Sequence, residues 1–540
     1  MKRFRGLISF FLTAALLATA CGDSKGDDAA PTQTGTPGTG AAVATTAPQP
    51  VTGGKLSVLI TSETRGMDPI AVTGSSGLGG EPPRMYAVYD ALMLTDNKTG
   101  EVKPALAESL TSTDRIVWTL KLRPNVKFSD GTPYDAEAVK FNWDRHNDPA
   151  LNSTARPLIQ SMKSIEVVDA VTLKITLNAE NGQFARNVAS NLAWSASPTA
   201  VKAKGKDYGT TAANIVGAGP FIMKEWTRDS RMVLTRNPTY WQTGKPYLDE
   251  LEFRVMPDET QRLNSLTTGE ADLAWLNTLP VQKQAKDAGL VAQRVNGVGA
   301  SGLQFNLTKE PFNDARVRKA VQLAIDPAQL AQVATDGLDE PIASWFPATT
   351  PWHDAAVVFP KFSTAEAQKL VDAYAAEKGK NLEFTLTTSD AGANPKIAEF
   401  IAAALNKLQK VSVKTELKPG AQTTSDLRAK NYQMIPYAFL GADPEPQFYD
   451  SWHSKGTRNF SGYNNPLVDA ALLRARNATD TAARKKEYTD VQKMLIDDGI
   501  PMIITTRTVT ALTTKKDRVQ GIEMWEDGGG VFFDKLWIKK

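Results

Sequence analysis

The sequence predicts a mixed α/β fold for most of the 540-residue chain. Strand-like and helix-like runs alternate from residue 55 to the end, and no segment repeats at a fixed period. The first 54 residues depart from this pattern. A chain of this length can bury a large core, and its length favours two or three domains.

The first twenty residues predict a secretory signal peptide. Three basic residues, Lys2, Arg3 and Arg5, precede an uncharged apolar run that ends at Ala20. A helix needs roughly 20 apolar residues to cross a bilayer, and the run from residue 6 to residue 20 is shorter. Removal of residues 1–20 takes away three of the 62 Lys and Arg residues and leaves 59 against 59 Asp and Glu. This balanced charge does not predict nucleic acid as a partner.

Cys21 is the only cysteine of the chain, and it directly follows the apolar run. The segment 18–21 resembles the bacterial lipobox, in which the cysteine carries a diacylglyceryl group, although Ala18 stands where leucine is usual. The alternative is ordinary cleavage after Ala20, which leaves a free thiol. Because an unpaired thiol on a secreted protein is a liability, we expect lipidation at Cys21.

Residues 21–54 predict a lipidated, disordered tether. They consist mostly of Gly, Thr, Ala and Pro and contain almost no large apolar side chain. Such a composition cannot bury enough surface to offset chain entropy. A flexible chain of about 33 residues spans roughly 30 Å. A body on this tether would stay near the membrane and remain free to turn.

The folded part begins with the strand pattern of residues 55–60. Residues 118–122 alternate apolar and polar side chains, and residues 165–168 and 171–177 predict a hairpin. Residues 135–143 have early acidic residues and apolar residues three to four positions apart, which is typical of a helix. Similar patterns predict helices over 314–335, 364–378, 395–410, 465–476 and 481–498, with strands at 251–255 and 302–307.

The sequence contains no motif that predicts catalysis, a metal or a cofactor. Its three histidines, His146, His353 and His453, are far apart, and neither HExxH nor GxSxG occurs. Residues 297–302 match GxGxxG, but a strand pattern follows them instead of the helix that a dinucleotide loop requires. We therefore expect no enzymatic activity and no cofactor, and any ATP-driven step must belong to a partner.

Several segments resemble one protein family in order and spacing. They are residues 106–109, 117–134, 136–141, 217–221, 237–241, 257–262, 269–272, 305–306, 311–320, 324–326 and 460–466. Residues 117–134, VWTLKLRPNVKFSDGTPY, are similar to the signature of the family 5 extracellular solute-binding proteins. These are the dipeptide, oligopeptide and nickel binding components of ABC importers. The motifs form turns and helix starts, so we expect them to be structural.

The resemblance implies a two-lobed periplasmic-binding-protein-like fold with a hinge, in which a solute is enclosed between the lobes. Lobe I would comprise residues 55–275 and 506–540, with an extra subdomain near 85–205, and lobe II residues 276–505. The resemblance further implies a monomer outside the cytoplasm, held to the cell membrane by its lipid anchor, that delivers solute to an ABC permease and its ATPase subunits. A secreted enzyme or a sensor on the same fold is the alternative, since a fold does not fix a function.

One departure from the peptide binders of this family leaves the ligand class open. They place an aspartate three residues before an acidic residue and proline, and this aspartate holds the ammonium group of a peptide. The pair corresponds here to Asp443-Pro444, and the residue three before Asp443 is Leu440. A peptide-type solute is the family default, with Asp443 as a substitute anchor. A small organic or aromatic carboxylate, a sugar or a chelated metal is the alternative, because these need no ammonium anchor.

The resemblance also indicates the walls of the ligand site. We expect ligand contacts from the loop 61–67, which includes Arg65, and from Ser75, Ser76, Trp194, Trp275, Ser301, Tyr437, Leu440 and Asp443. Tyr437 is the best aromatic candidate, since it lies where peptide binders place a ring. Arg65, Arg186 and Arg231 are candidate donors for a ligand carboxylate, and a surface position is the alternative for each.

Overall fold

The computed structural model describes residues 49–539, apart from residues 65, 72–80, 97–98, 154, 340, 349, 391, 439–442, 479, 501–502 and 526–529. For residues 294–301, 421 and 503–510 it describes the backbone alone. Residues 50–540 form one compact unit. The strands are β1 (Lys55–Ile60), β2 (Met93–Thr95), β3 (Val102–Pro104), β4 (Ala107–Thr111), β5 (Val117–Leu122), β6 (Met162–Asp169), β7 (Thr172–Leu177), β8 (Phe221–Thr227), β9 (Arg231–Arg236), β10 (Glu250–Val255), β11 (Leu273–Leu276), β12 (Leu290–Phe305), β13 (Leu382–Ser389), β14 (Val411–Lys418), β15 (Met434–Ala438), β16 (Ile503–Lys515), β17 (Val519–Gln520), β18 (Met524–Trp525), β19 (Gly530–Val531) and β20 (Trp537–Ile538).

The helices of the structure include ones close to the segments predicted over 135–143, 364–378, 465–476 and 481–498, whereas the helix predicted over 395–410 ends earlier, at Leu405. The helices are α1 (Glu81–Tyr89), α2 (Ala136–Arg145), α3 (Arg156–Gln160), α4 (Phe184–Asn191), α5 (Pro198–Lys204), α6 (Glu259–Thr268), α7 (Leu279–Asp287), α8 (Ala315–Leu323), α9 (Pro327–Thr335), α10 (Thr364–Lys378), α11 (Asn394–Leu405), α12 (Gly420–Arg428), α13 (Gln447–Trp452), α14 (Pro466–Asn477) and α15 (Thr481–Asp497). The helix predicted over 314–335 is wrong, because Asp326 caps α9 and Pro327 opens it, which separates α9 from α8.

A ten-stranded sheet runs through the compact unit in the order β14-β13-β15-β12-β16-β11-β1-β10-β9-β8. Its first strand, β1, is parallel to both β10 and β11. The side chains of β1 and β8–β11 pack in one cluster with residues from 512 to 538, and Trp275 and Leu512 lie within it. We call this cluster with its strands the core body.

Strands β12 and β16 pass from one half of this sheet to the other. Residues 290–296 of β12 pair with residues 509–515 of β16, which also borders β11. From Ser301 onward, β12 borders β15 as well. The ladder between β12 and β16 shifts register at Asn296/Ala300 and again at Ser301/Gly302. The glycine-rich run 297–302 therefore lies within a strand, which confirms that it is not a dinucleotide loop.

A separate antiparallel sheet has the order β4-β5-β7-β6. Its hairpin β6–β7 confirms the predicted pair of strands. The apolar face packs on α2, α3 and α4, around Leu120, Trp143 and Phe184. We call this sheet with α2, α3 and α4 the insert.

Buried hydrophobic side chains between residues 303 and 500 pack in two further clusters. One joins β12–β15 with α8–α11 around Phe312 and Leu386, and the other joins α13–α15 around Trp452 and Tyr488. We call these elements the distal body. Helix α7 packs instead with Leu59 of β1. The lobe boundaries at residues 275 and 506 stay a prediction. Among the described residues, no helix combines the length and apolar character that a membrane span requires.

Candidate functional site

Tyr437 lies near the end of β15, between β12 and β13. Its hydroxyl is 2.9 Å from the hydroxyl of Ser451, and its ring meets the ring of Phe460 edge-on, with centroids 6.3 Å apart. Both partners belong to the distal body. The tyrosine is buried, so its ring orientation is set before any solute arrives.

A cavity of about 240 Å³ opens beside this strand, between β12, β13, β15 and α11. Its walls include Thr388, Asn394, Pro436 and Tyr437. Strands β13 and β15 are parallel, and the cavity lies near their carboxyl ends. Ligands of open α/β sheets bind at such strand ends, so this cavity is a candidate part of a ligand site.

Asp443 is buried and faces two arginines. Both of its carboxylate oxygens accept hydrogen bonds from Arg484 of α15, at 2.8 and 2.5 Å. Nη2 of Arg186, which comes from α4 of the insert, is 3.2 Å from Oδ2 of Asp443. The carboxylate thus already has two cationic partners, and an ammonium group placed here would add to an excess of positive charge.

The pKa values of the two arginines are shifted in opposite directions. Burial lowers the pKa of Arg186, and the attraction of Asp443 offsets only part of this effect. Burial also acts to lower the pKa of Arg484, but Tyr488 and Asp443 outweigh it and raise the pKa above its ordinary value. The guanidinium of Arg484 further lies 4.7 Å from the ring centre of Trp352. Arg484 is therefore the principal partner of Asp443.

A second buried ion pair lies next to the first. Arg476 of α14 donates to both oxygens of Glu445, at 3.1 and 2.9 Å. The guanidinium carbon of Arg476 is 3.2 Å from the ring centre of Tyr449. We call the five charged residues Arg186, Asp443, Glu445, Arg476 and Arg484 the arginine cluster. These are three cations and two anions, and the buried carboxyl group of Asp450 interacts electrostatically with Arg476 and Glu445 as well.

A polar crevice of about 280 Å³ lies where the insert meets the distal body, a surface that we call the seam. The insert side includes Glu180 and several asparagines, and the distal side includes Asp450 and Arg476; the asparagines are Asn178, Asn181, Asn187 and Asn191. Burial raises the pKa of Asp450 to about 6. The crevice therefore has walls from both bodies and carries charges of both signs.

The described part of the loop 61–67 is held by a buried arginine. Arg84 of α1 donates to the carbonyl of Ser62 at 3.0 Å and lies 3.7 Å from a carboxylate oxygen of Glu63. Burial lowers the pKa of Arg84 to about 10. Within the loop, the hydroxyl of Thr64 donates to the carbonyl of Gly66 at 2.7 Å. The loop after β1 is thus fixed to the core body.

The tryptophans and Arg231 lie apart from the arginine cluster. Trp194 and Trp275 are buried in the core body, and their indole N–H groups have no hydrogen-bond acceptor among the described residues. Arg231 lies on β9, half exposed, with Nη2 2.8 Å from Glu225. These are environments of core and surface side chains, and ligand contact by the two tryptophans stays a prediction.

Several predicted site residues lie outside the described part. These are Cys21, Arg65, Ser75, Ser76 and Leu440, while Ser301 is described by its backbone alone, in β12. The sequence reasoning missed Arg476, Arg484 and Glu445. Asp443 and Arg484 are 41 positions apart, so no helical or strand period could have linked them.

The three histidines have separate environments. Nδ1 of His146 is 2.5 Å from the hydroxyl of Ser153, and Nδ1 of His353 is 3.0 Å from the carbonyl oxygen of Phe346. His453 stacks on Tyr449. In the part of the chain that the structure describes, no group of three or more His, Cys, Asp or Glu residues could hold a metal ion.

Comparisons with known proteins agree with this architecture. The model of the bacterial extracellular solute-binding proteins, family 5 Middle, matches residues 101–460. The glutathione-binding protein GsiB of Pectobacterium atrosepticum is 27% identical over 421 residues, which cover 75% of this chain and 80% of that protein. The periplasmic binding protein DppA from Helicobacter pylori, in complex with the peptide STSA, has a TM-score of 0.79 and 25% identity, and the match covers 91% of this chain and 99% of that one.

The structure of a third relative contains a ligand that is named as an acid and not as a peptide. AgaA from A. tumefaciens R10, in complex with agropinic acid, has a TM-score of 0.78 and 25% identity, and the match covers 90% of this chain and 99% of that one. These matches show the two-lobed fold of periplasmic binding proteins. The chain belongs to the bacterial extracellular solute-binding proteins of family 5.

Proposed function

We propose that this protein is the receptor of an ABC importer. It captures its solute between two parts, the distal body on one side and the core body together with the insert on the other. The observation that carries the proposal is the pair of long strands, β12 and β16, which join two separately packed bodies. Two bodies joined in this way can close about the connecting strands. A solute that contacts both bodies favours the closed arrangement by its differential affinity. We place the crossing between the lobes within β12 and β16.

We infer that the solute carries a carboxylate. The ligands named for the three relatives are glutathione, the peptide STSA and agropinic acid, and each contains a carboxyl group. A peptide-type solute is the first candidate.

A small organic acid without an ammonium group is the second candidate. Leu440 stands where the peptide binders have their ammonium anchor, and the substitute anchor Asp443 is already paired with Arg484 and Arg186. A buried ammonium group that finds no acceptor loses a charge-assisted hydrogen bond. This observation is the reason for the acid as the alternative to an ordinary dipeptide.

The receptor acts outside the cytoplasm, as a monomer held to the membrane by a lipid on Cys21. It delivers its solute to a permease, and the ATPase subunits of the importer supply the energy. The protein itself catalyses no reaction, in agreement with the solute-binding function named for its relatives.

A thermal-shift screen of the purified protein tests this proposal. The panel comprises glutathione, the peptide STSA, several dipeptides, sugars, and aliphatic and aromatic acids. We expect a rise in Tm that increases with the concentration of at least one carboxylate; at a hundred times Kd, the stabilisation is about 2.7 kcal/mol. That compound should be recovered unchanged. Conversion of the compound to a product would contradict the receptor function, and a response to sugars alone would contradict the carboxylate.

A further inference from the structure

The insert and the distal body meet through Arg186 and Asp443. Arg186 projects from α4, whose apolar side chains Phe184 and Val188 pack in the insert. Asp443 precedes α13 and is bonded to Arg484 of α15, and both helices pack in the distal body. The 3.2 Å ion pair between Arg186 and Asp443 therefore joins two bodies that have separate cores.

The distal half of this ion pair is held in place independently of the insert. Arg484 binds both oxygens of Asp443, and Oδ1 of Asp443 also accepts a hydrogen bond from the amide of Glu445 at 2.9 Å. The side chains of Asp443 and Arg484 are 3% and 7% exposed. A carboxylate fixed in this way loses little freedom when a guanidinium approaches it, so the contact with Arg186 is pre-organised.

Two hydrogen bonds cross the seam close to this ion pair. The amide of Gly182 donates to Oδ1 of Asn477 at 3.1 Å, and Nη1 of Arg115 donates to the carbonyl oxygen of Asn477 at 2.6 Å. Asn477 ends α14 in the distal body, whereas Gly182 lies just before α4 of the insert. The amide of Gly182 therefore reports directly on whether the seam is closed.

We propose that Arg186 is a positioning residue that holds the insert against the distal body in the closed arrangement. It acts through Asp443 and not through contact with solute. The effect of this contact on solute retention rests on the proposed function, but the contact itself needs no solute. Charge-assisted hydrogen bonds between buried groups are stronger than neutral ones, so loss of Arg186 should raise the open population about tenfold.

Hydrogen exchange at the Gly182 amide, measured on the whole protein without solute, tests the proposal. We expect exchange about tenfold faster in Arg186→Ala than in the wild type, and an intermediate rate in Arg186→Lys, which keeps the charge but loses the planar donor group. Arg231→Ala is the matched control, because Arg231 pairs with Glu225 on the neighbouring strand, away from the seam. In Arg231→Ala, the Gly182 amide should exchange at the wild-type rate.

Amides in the two cores separate opening of the seam from loss of structure. Leu120 of β5 and Leu386 of β13 should keep their wild-type protection in every variant. A wild-type rate at Gly182 in Arg186→Ala would overturn the proposal. If Arg186→Ala also exposes the core amides, Arg186→Lys decides: faster exchange at Gly182 with protected cores supports the proposal, and any other result overturns it. A solute screen without a hit would contradict the proposed function and leave this measurement valid.

Discussion

Asp443 is the residue at which charges from the insert and the distal body meet. Its carboxylate balances Arg484 within the distal body and Arg186 across the seam. Interactions between buried charges are weakly screened, so the balance at this position matters more than at any exposed ion pair of the surface. Removal of the single carboxylate would leave two guanidinium groups facing each other.

Asp443→Asn should therefore lower the free energy of unfolding by about 3 kcal/mol, the usual cost of leaving a buried charge without its partner. Urea unfolding followed by circular dichroism measures the loss. Glu225→Gln is the control, because the carboxylate of Glu225 is 44% exposed and its ion pair with Arg231 should contribute less than about 1 kcal/mol. Equal losses in the two variants would show that the buried carboxylate of Asp443 contributes no more to stability than an exposed carboxylate does.

His146 should make the stability of the protein depend on pH. Burial lowers its pKa from 6.5 to about 4, so the folded state holds the neutral ring where the unfolded state already binds a proton. The stabilisation is present above pH 6.5 and is lost as the pH falls towards 4. Between pH 7 and pH 4.5, this residue alone should lower the free energy of unfolding by about 2 kcal/mol.

His146→Gln removes the titrating group and isolates this contribution from those of the carboxylates. The difference in unfolding free energy between wild type and variant should shift in favour of the variant by about 2 kcal/mol from pH 7 to pH 4.5. Urea titrations at the two pH values measure this shift. A difference that is independent of pH would mean that folding does not lower the pKa of His146.

At the scale of the elements, several helices and strands follow from local signals. Asp135 caps α2, and its carboxylate accepts a hydrogen bond from the amide of Ala138 at 2.9 Å, as the acidic start of that helix predicts. Strand β1 coincides with the predicted run 55–60. The break between α8 and α9 was missed because the apolar spacing continues across Asp326 and Pro327, although these two residues are themselves a helix start.

Gly182, which precedes α4, controls how closely the insert approaches α14. A Cβ atom at this position would lie 2.8 Å from the carbonyl oxygen of Arg476, closer than real Cβ contacts occur. Gly182→Ala should therefore open the seam and increase the radius of gyration measured by small-angle X-ray scattering. Gly420→Ala is the control, because the nearest atom to its added Cβ, Oγ of Ser389, is 3.7 Å away. An unchanged radius in Gly182→Ala would mean that the seam does not depend on this close approach.

At the scale of the whole molecule, the contacts that join the bodies link residues distant in sequence. Arg115 and Asn477 are 362 positions apart, and no local pattern could have paired them. The resemblance of the motifs predicts the two-lobed fold, and it predicts ligand contacts within residues 437–443. It did not reveal that Asp443 is shared by two arginines, because that arrangement depends on α4 and α15 coming together. Trp194 and Trp275 lie in the cluster of the core body, and large aromatic rings fill cores as readily as clefts, so ligand contact by these two residues stays a prediction.

The anchor of the whole molecule can be tested separately from its binding site. Cys21→Ser removes the predicted acceptor of the lipid and should shift the protein from the membrane fraction to the soluble fraction of the producing cells. Immunoblots of the two fractions measure the change. Affinity for a solute found in the screen should stay the same, because the tether is predicted to separate Cys21 from the folded body. Retention of the variant in the membrane fraction would contradict lipidation at this cysteine.

Closure of the two bodies around a solute can be measured directly by small-angle X-ray scattering. The wild-type protein is compared without solute and with a saturating concentration of the carboxylate that gives the largest thermal shift. Because a solute that contacts both bodies favours the closed arrangement, the radius of gyration should fall on saturation, and it should fall further in Arg186→Ala, which starts more open. A radius that stays constant at saturation in both proteins would contradict capture by closure.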